Sequence, residues 1–245
     1  MTWLLFGALG LTVLAGAVAM RATGMGFALV ASPFLALIFG PFEGVLIANV
    51  CGVASAALNL TQVHRQIDWR RARVLVPAGV IGVIPGAIAA TVLPSAVLSI
   101  VVSGVVMVGL GLTLFIRRIG ASDSPVKAAS GGLASGFMNA TAGVGGPGLV
   151  VYALATQWDY PRFAATAQII FAVQGIASLV MKHSWPALIP TAWLVLAAAL
   201  VAGLFVGNLL ARRVNAKVAM GVVVAMALVG ALAGLLQGIS RLGAE

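Results

Sequence analysis

Ten apolar runs divide the chain, at 3–20, 26–40, 44–63, 74–93, 95–116, 128–142, 147–157, 163–181, 187–210 and 216–238. Most approach the ~20 residues that a helix needs to cross a bilayer. The second and the seventh, at 26–40 and 147–157, are short for a full span. Each of these follows a glycine-rich interruption, Thr23-Gly24-Met25-Gly26-Phe27 in one case and Ala142-Gly143-Val144-Gly145-Gly146-Pro147-Gly148 in the other. Inside a helix Gly costs about 1 kcal/mol relative to Ala and Pro about 3, so neither stretch continues the helix before it. Pro147 suits the first turn of a new helix, where its missing N–H is not needed. The pattern therefore predicts two half-helices or re-entrant arms, held inside protein where broken backbone is tolerated. A helix that begins there turns free N–H groups and a partial positive charge inward. That arrangement can hold an anion without a charged side chain.

Composition agrees with a membrane protein. The chain has 245 residues, 62% hydrophobic and 8% charged, with a mean hydropathy of +1.14. A soluble domain carries about 25% charged residues, so the polar surface of a water-soluble globule is missing and no soluble domain is expected. The start, Met1-Thr2-Trp3, lacks a basic region before the first apolar run. Ala17-Val18-Ala19 resembles a cleavage site, but the first run is expected to be retained. Cys51 is the single cysteine, so it cannot make an intrachain disulfide. It reads as a small hydrophobe.

The net charge of +9 comes from loops and does not imply nucleic acid. Of the fourteen basic residues, twelve fall in the odd-numbered connections: Arg21; Arg65, Arg70, Arg71 and Arg73; Arg117, Arg118 and Lys127; Arg162; and Arg212, Arg213 and Lys217. Only Lys182 and Arg241 fall elsewhere. The positive-inside rule then places the odd connections in the cytoplasm and both termini outside. Fusing each broken pair gives eight spans instead of ten but divides the loop charges less cleanly.

An internal repeat emerges at an offset of 119 residues, which superposes Gly24 on Gly143, Gly26 on Gly145, Ala48-Asn49 on Ala167-Gln168 and His64 on His183. At an offset of 121, Gly82 and Gly86 fall on Gly203 and Gly207. The halves are 1–118 and 119–245, with five segments each. An odd number of segments inverts the second half, as the charge distribution requires. The fold class expected is an all-α polytopic membrane protein, an inverted repeat of two five-segment halves with eight to ten spans. Broken helices at corresponding places in such repeats mark secondary transporters with a midplane site.

These residues resemble the TauE/SafE-type sulfite exporter family. Each half of that family carries a Gly-x-Gly-Gly break, an apolar run ending in a Gly/Pro-type turn, and a helix opening with small and hydroxyl residues. The first copy here is Gly24-Met25-Gly26-Phe27 through Ser32-Pro33 to Gly40-Pro41, and the second is Gly143-Val144-Gly145-Gly146-Pro147-Gly148 onward. The small-residue helices running into Leu93-Pro94 and Val214-Asn215 are similar too, so the likeness spans almost the whole chain. Two departures stand out: Phe27 where a third glycine is usual, and Asn49 and Gln168 where Ser or Thr is common. The resemblance implies an inner-membrane permease, an exporter by expectation, for sulfur anions such as sulfite, thiosulfate or organosulfonates.

The residues expected to bind the substrate are Thr23, Gly24, Gly26, Asn49, Asn139, Thr141, Gly143, Gly145, Gly146 and Gln168. For the glycines the alternative is close helix packing, and for Asn49 and Gln168 an interhelical hydrogen bond. Thr23, Asn139 and Thr141 could equally cap backbone freed by the breaks. Arg21 reads as a topology signal, and His64 and His183 as interfacial residues. The glycine pairs at 82/86 and 203/207 read as helix packing. Trp3, Trp158, Tyr160 and Trp185 fit an aromatic belt. No carboxylate lies inside a run, so no coupling residue is named. No cofactor, metal or enzymatic activity is expected. The partners expected are the sulfur anion and the bilayer, with a homodimer left open beside a monomer. A passive anion channel and a non-transporting accessory subunit are the competing readings.

Overall fold

A computed structural model describes residues 3–24, 26–115, 123–211 and 216–243. Over these residues the chain forms ten α-helices: α1 (Trp3–Thr23), α2 (Gly26–Phe39), α3 (Pro41–Val63), α4 (Trp69–Val92), α5 (Ser95–Phe115), α6 (Pro125–Ala142), α7 (Gly146–Ala155), α8 (Tyr160–Met181), α9 (Pro190–Ala211) and α10 (Ala216–Leu242). Every apolar run becomes one helix. The two runs after the glycine breaks become the two shortest, α2 with 14 residues and α7 with 10. Six helices are long and apolar enough to cross a membrane, within α1, α3, α4, α8, α9 and α10. Met25, Arg117, Arg118, Arg212 and Arg213, and the junction between the expected halves at 118/119, lie outside the described residues.

Local chemistry sets the helix ends. Asp68, Ser124 and Asp159 precede α4, α6 and α8, and each side chain accepts a hydrogen bond from a backbone N–H in the first turn. These are N-caps, which satisfy donors that the helix leaves unpaired. Pro41, Pro125, Pro147 and Pro161 stand in first turns.

Small residues decide which helices touch. α4 runs along α6, α1 along α9, α3 along α8, and α5 along α10. At the α4–α6 seam a Cβ added to Gly136 would overlap the Gly79 carbonyl, and one on Gly82 would overlap the Leu133 carbonyl. At the α1–α9 seam a Cβ on Gly203 would stand 2.7 Å from Leu14 O, and one on Gly207 2.7 Å from Arg21 Cβ. Between helices surrounded by lipid, such close approach supplies the packing energy that the hydrophobic effect provides in water. Outward faces are apolar: Leu11, Leu194, Val201 and Phe205 are all exposed. Trp3, at the start of α1, and Trp185, in the connection between α8 and α9, are exposed.

Candidate anion site at the second helix break

The second break is built by a left-handed cap. α6 stops at Gly143, whose φ of 71° lies where a side chain is strained. Its N–H bonds to Asn139 O at 2.8 Å, and Val144 N–H reaches Met138 O, closing the last turn. Gly145 then precedes α7 with no side-chain cap, and Pro147 lies in the first turn. The N–H groups that open α7 therefore have no side chain of their own to satisfy them.

Those groups line a small cavity. Gly143, Val144, Gly145 and Gly146 form one wall. Asn49 of α3 and Asn139 of α6 supply its polar side chains, and Met20, Phe27, Val53 and Phe171 apolar ones. No lining side chain carries a charge. Asn49 is 3% exposed and donates through Nδ2 to Ser178 Oγ at 3.2 Å, across the α3–α8 seam. Asn139 is 5% exposed, and its Oδ1 has no hydrogen-bond partner. A half-turn of the terminal torsion exchanges the oxygen and nitrogen of an amide, so this side chain can offer the cavity either donors or an acceptor. An uncapped helix start beside two amides, in surroundings without acids, suits a small oxyanion. Among the described residues no three His, Cys, Asp or Glu side chains gather as a metal site.

The first break meets the same cavity differently. Gly24 also takes a left-handed φ, of 73°, but it packs against Tyr160 and Ala164 of α8 rather than against the cavity. Gly26 is wedged against Thr23 and Ala19. What reaches the cavity from this side is Phe27 and Ala28. Phe27 stands 119 residues before Gly146, so a phenyl ring occupies one half where the other half offers bare backbone.

The expected site residues thus divide. Asn49, Asn139, Gly143, Gly145 and Gly146 come together around the cavity. Thr23 and Thr141 turn their hydroxyls back to Ala19 O and Phe137 O, each at 2.8 Å, and so close their own helix turns. Gln168 donates to Gly24 O at 2.8 Å and mends the first break. Gly24 and Gly26 belong to that mended region. Arg21 is held by Asn59 and Gln62, each at 2.7 Å, away from the cavity lining.

Other residues beside the site did not stand out in the sequence. Gln174 of α8 is fully buried. Its Oε1 accepts from Ser135 Oγ at 3.1 Å, and its Nε2 has no partner. A Cβ on Gly145 would lie 2.9 Å from Ser135 Oγ and 3.0 Å from Gln174 Oε1, so this pair presses directly behind the break. An amide buried within a membrane run is itself a signal, and Gln174 carried it. Ser32 Oγ donates to Ala142 O, and Tyr160 Oη to Thr23 O. Thr23 and Ala142 are also 119 residues apart. Each break therefore has its last helix carbonyl held by a hydroxyl from the opposite half of the chain.

Neither curated proteins nor solved structures give a match to the chain. The family model described as Sulfite exporter TauE/SafE matches residues 8–240. That match takes in both breaks, α2, α7 and every cavity residue, and it marks a family of membrane transporters for sulfite and related sulfur anions. The chain belongs to the TauE/SafE sulfite exporter family.

Proposed function

We propose that the protein exports small sulfur oxyanions, such as sulfite or organosulfonates, by holding each anion at the start of α7. In this reading the N–H groups following Gly145 meet the anion's oxygens, while Asn139 and Asn49 add amide donors from α6 and α3. The observation that carries it is the uncapped α7 start on a cavity lined by two amides and no charged side chain. Neutral donors hold an anion while letting it leave, as a carrier requires. A negative-inside potential drives an anion outward by about 2.3 kcal/mol per charge per 100 mV. Export then needs no coupling ion.

We further read the motion as rocking of residues 1–118 against 119–245 about a pseudo-two-fold axis in the membrane plane. The helix pairings support this. Exchanging the halves turns α1–α9 into α6–α4, α1–α2 into α6–α7 and α2–α3 into α7–α8, while α3–α8 and α5–α10 map onto themselves, and all these pairs are in contact. From the loop charges we read both termini as lying outside an inner membrane.

Purified protein in liposomes tests the reading. Sulfite or sulfonate flux should exceed that of empty liposomes, saturate with concentration, and fall when Asn139 or Asn49 loses its amide. Flux equal to empty liposomes removes the transporter reading. Currents that do not saturate and ignore Asn49 remove the carrier mechanism.

A further inference from the structure

Lys182 follows the last residue of α8, which ends one wall of the transport core. Its side chain is 4% exposed, yet Nζ has no hydrogen-bond partner. No carboxylate forms an ion pair with it among the described residues. Among the described residues, the ring of Phe42 stands against its ammonium, with the centroid 5.6 Å away. A cation–π contact replaces only part of the hydration that burial removes. A buried ammonium in such surroundings favours a negative charge close by.

Phe42 is the second residue of α3, and that helix start is open as well. Gly40, at φ 88°, precedes it and offers no side-chain cap. The ammonium thus stands over the side chain of the second residue of a helix whose opening N–H groups also favour negative charge, and whose first turn already carries Glu43. Gly40, Pro41, Phe42 and Glu43 line a cleft that opens to the surface between α2, α4 and α5, and Lys182 is not part of its lining. From here the α3–α8 seam leads inward. Lys182 N bonds to Ser178 O, and Ser178 Oγ bonds to Asn49. Along α3, Phe42 and Asn49 are seven residues apart, about 10 Å at helical rise.

We propose that Lys182 and the open start of α3 form a second anion site on the path of the transported sulfur anion, with that anion as the lysine's counter-ion. This rests on the transporter reading above. Two other titratable groups stand beside it. Glu43, on the first turn of α3, is engaged by Ala187 N–H. His183 is next in the chain, with a left-handed φ of 47°.

Burial pushes the Lys182 ammonium down from its usual range to about 7. Without an anion the lysine is charged below that pH and neutral above it. An anion favours the charged form, so above pH 7 each anion must bring a proton with it. By linkage, affinity then weakens up to about tenfold for each further pH unit.

The test uses full-length protein in chloride-free liposomes, with thiosulfate and methanesulfonate as probes. Both keep a fixed charge near neutrality, whereas sulfite itself titrates there. Wild-type KM should rise about twofold from pH 6 to 7 and about tenfold in all by pH 8. Lys182→Gln should raise KM about tenfold at pH 6 and abolish the pH dependence. Lys182→Arg, which stays charged, should keep the low KM at pH 8. His183→Gln should leave the wild-type profile. Removing an unpaired buried charge should not lower the thermal midpoint, so Lys182→Gln is expected to fold. A wild-type KM that is flat from pH 6 to 8 overturns the proposal whatever the variants do. So does a Lys182→Gln variant with the wild-type KM and pH profile, and in that case the transporter reading stands. No wild-type flux of any sulfur anion overturns the transporter reading and this site together.

Discussion

Asn139 is where stability and transport should part most clearly. Its Oδ1 is buried without a partner at the edge of the cavity. An unsatisfied buried polar group costs about 1–3 kcal/mol. Leucine has nearly the same size and no polar atom, so Asn139→Leu removes that cost. For a chain of this length each 1 kcal/mol moves the thermal midpoint by roughly 2–4 °C. The variant should therefore melt about 2–10 °C higher in detergent than the wild type. If the amide turns its donors to the anion, transport should move the other way. A hydrogen bond to a charged group is worth about 1.5–3 kcal/mol, which corresponds to roughly a 10- to 150-fold rise in KM for sulfite. Thermal unfolding and liposome flux on one preparation read both quantities. A lower midpoint with unchanged KM would refute the reasoning, because Asn139 would then be a packing residue.

Gly136→Ala should destabilise the bundle by more than about 3 kcal/mol, since its Cβ would overlap the Gly79 backbone and neither helix can yield without breaking the seam. Thermal unfolding measures this, and Gly52→Ala, whose Cβ meets nothing within 4 Å, is the stability control. Gln168→Leu frees the Gly24 carbonyl and should cost about 1–3 kcal/mol of stability. Its effect on KM should be smaller than that of Asn139→Leu, because Gln168 mends the first break and does not line the cavity. Similar KM changes in the two variants would speak against that division.

The sequence exposed what depends on local rules. Gly and Pro interrupt helices wherever they cluster, so Gly143 to Pro147 and Gly24 to Gly26 were visible as breaks. The apolar runs fixed the ten helices to within a few residues at most ends. Choice of partner depends on packing between distant elements, and it stayed hidden. Asn49 and Gln168 stand 119 residues apart in the chain, yet one lines the cavity and the other bonds to the Gly24 carbonyl. Nothing local separates them. The difference comes from Tyr160 and Ala164 crowding the first break, and from Phe27 standing where the other half has Gly146. Arg21 looked like a topology signal because basic residues at helix ends usually are. Its pairing with Asn59 and Gln62 arises only when α1 and α3 meet. Gln174 was legible as a polar residue in an apolar run, but its place behind Gly145 needed the α6–α8 contact.

The central claim is that a sulfur oxyanion rests at the start of α7 between Asn139 and Asn49. Selenite shares the shape and charge pattern of sulfite and scatters anomalously. A crystal of the protein grown with selenite tests the claim directly. The expected result is one anomalous peak in the cavity, within hydrogen-bonding reach of the Gly146 N–H and the Asn139 amide. No peak in that cavity at saturating selenite, or a peak confined to the first break at Gly24, would contradict it.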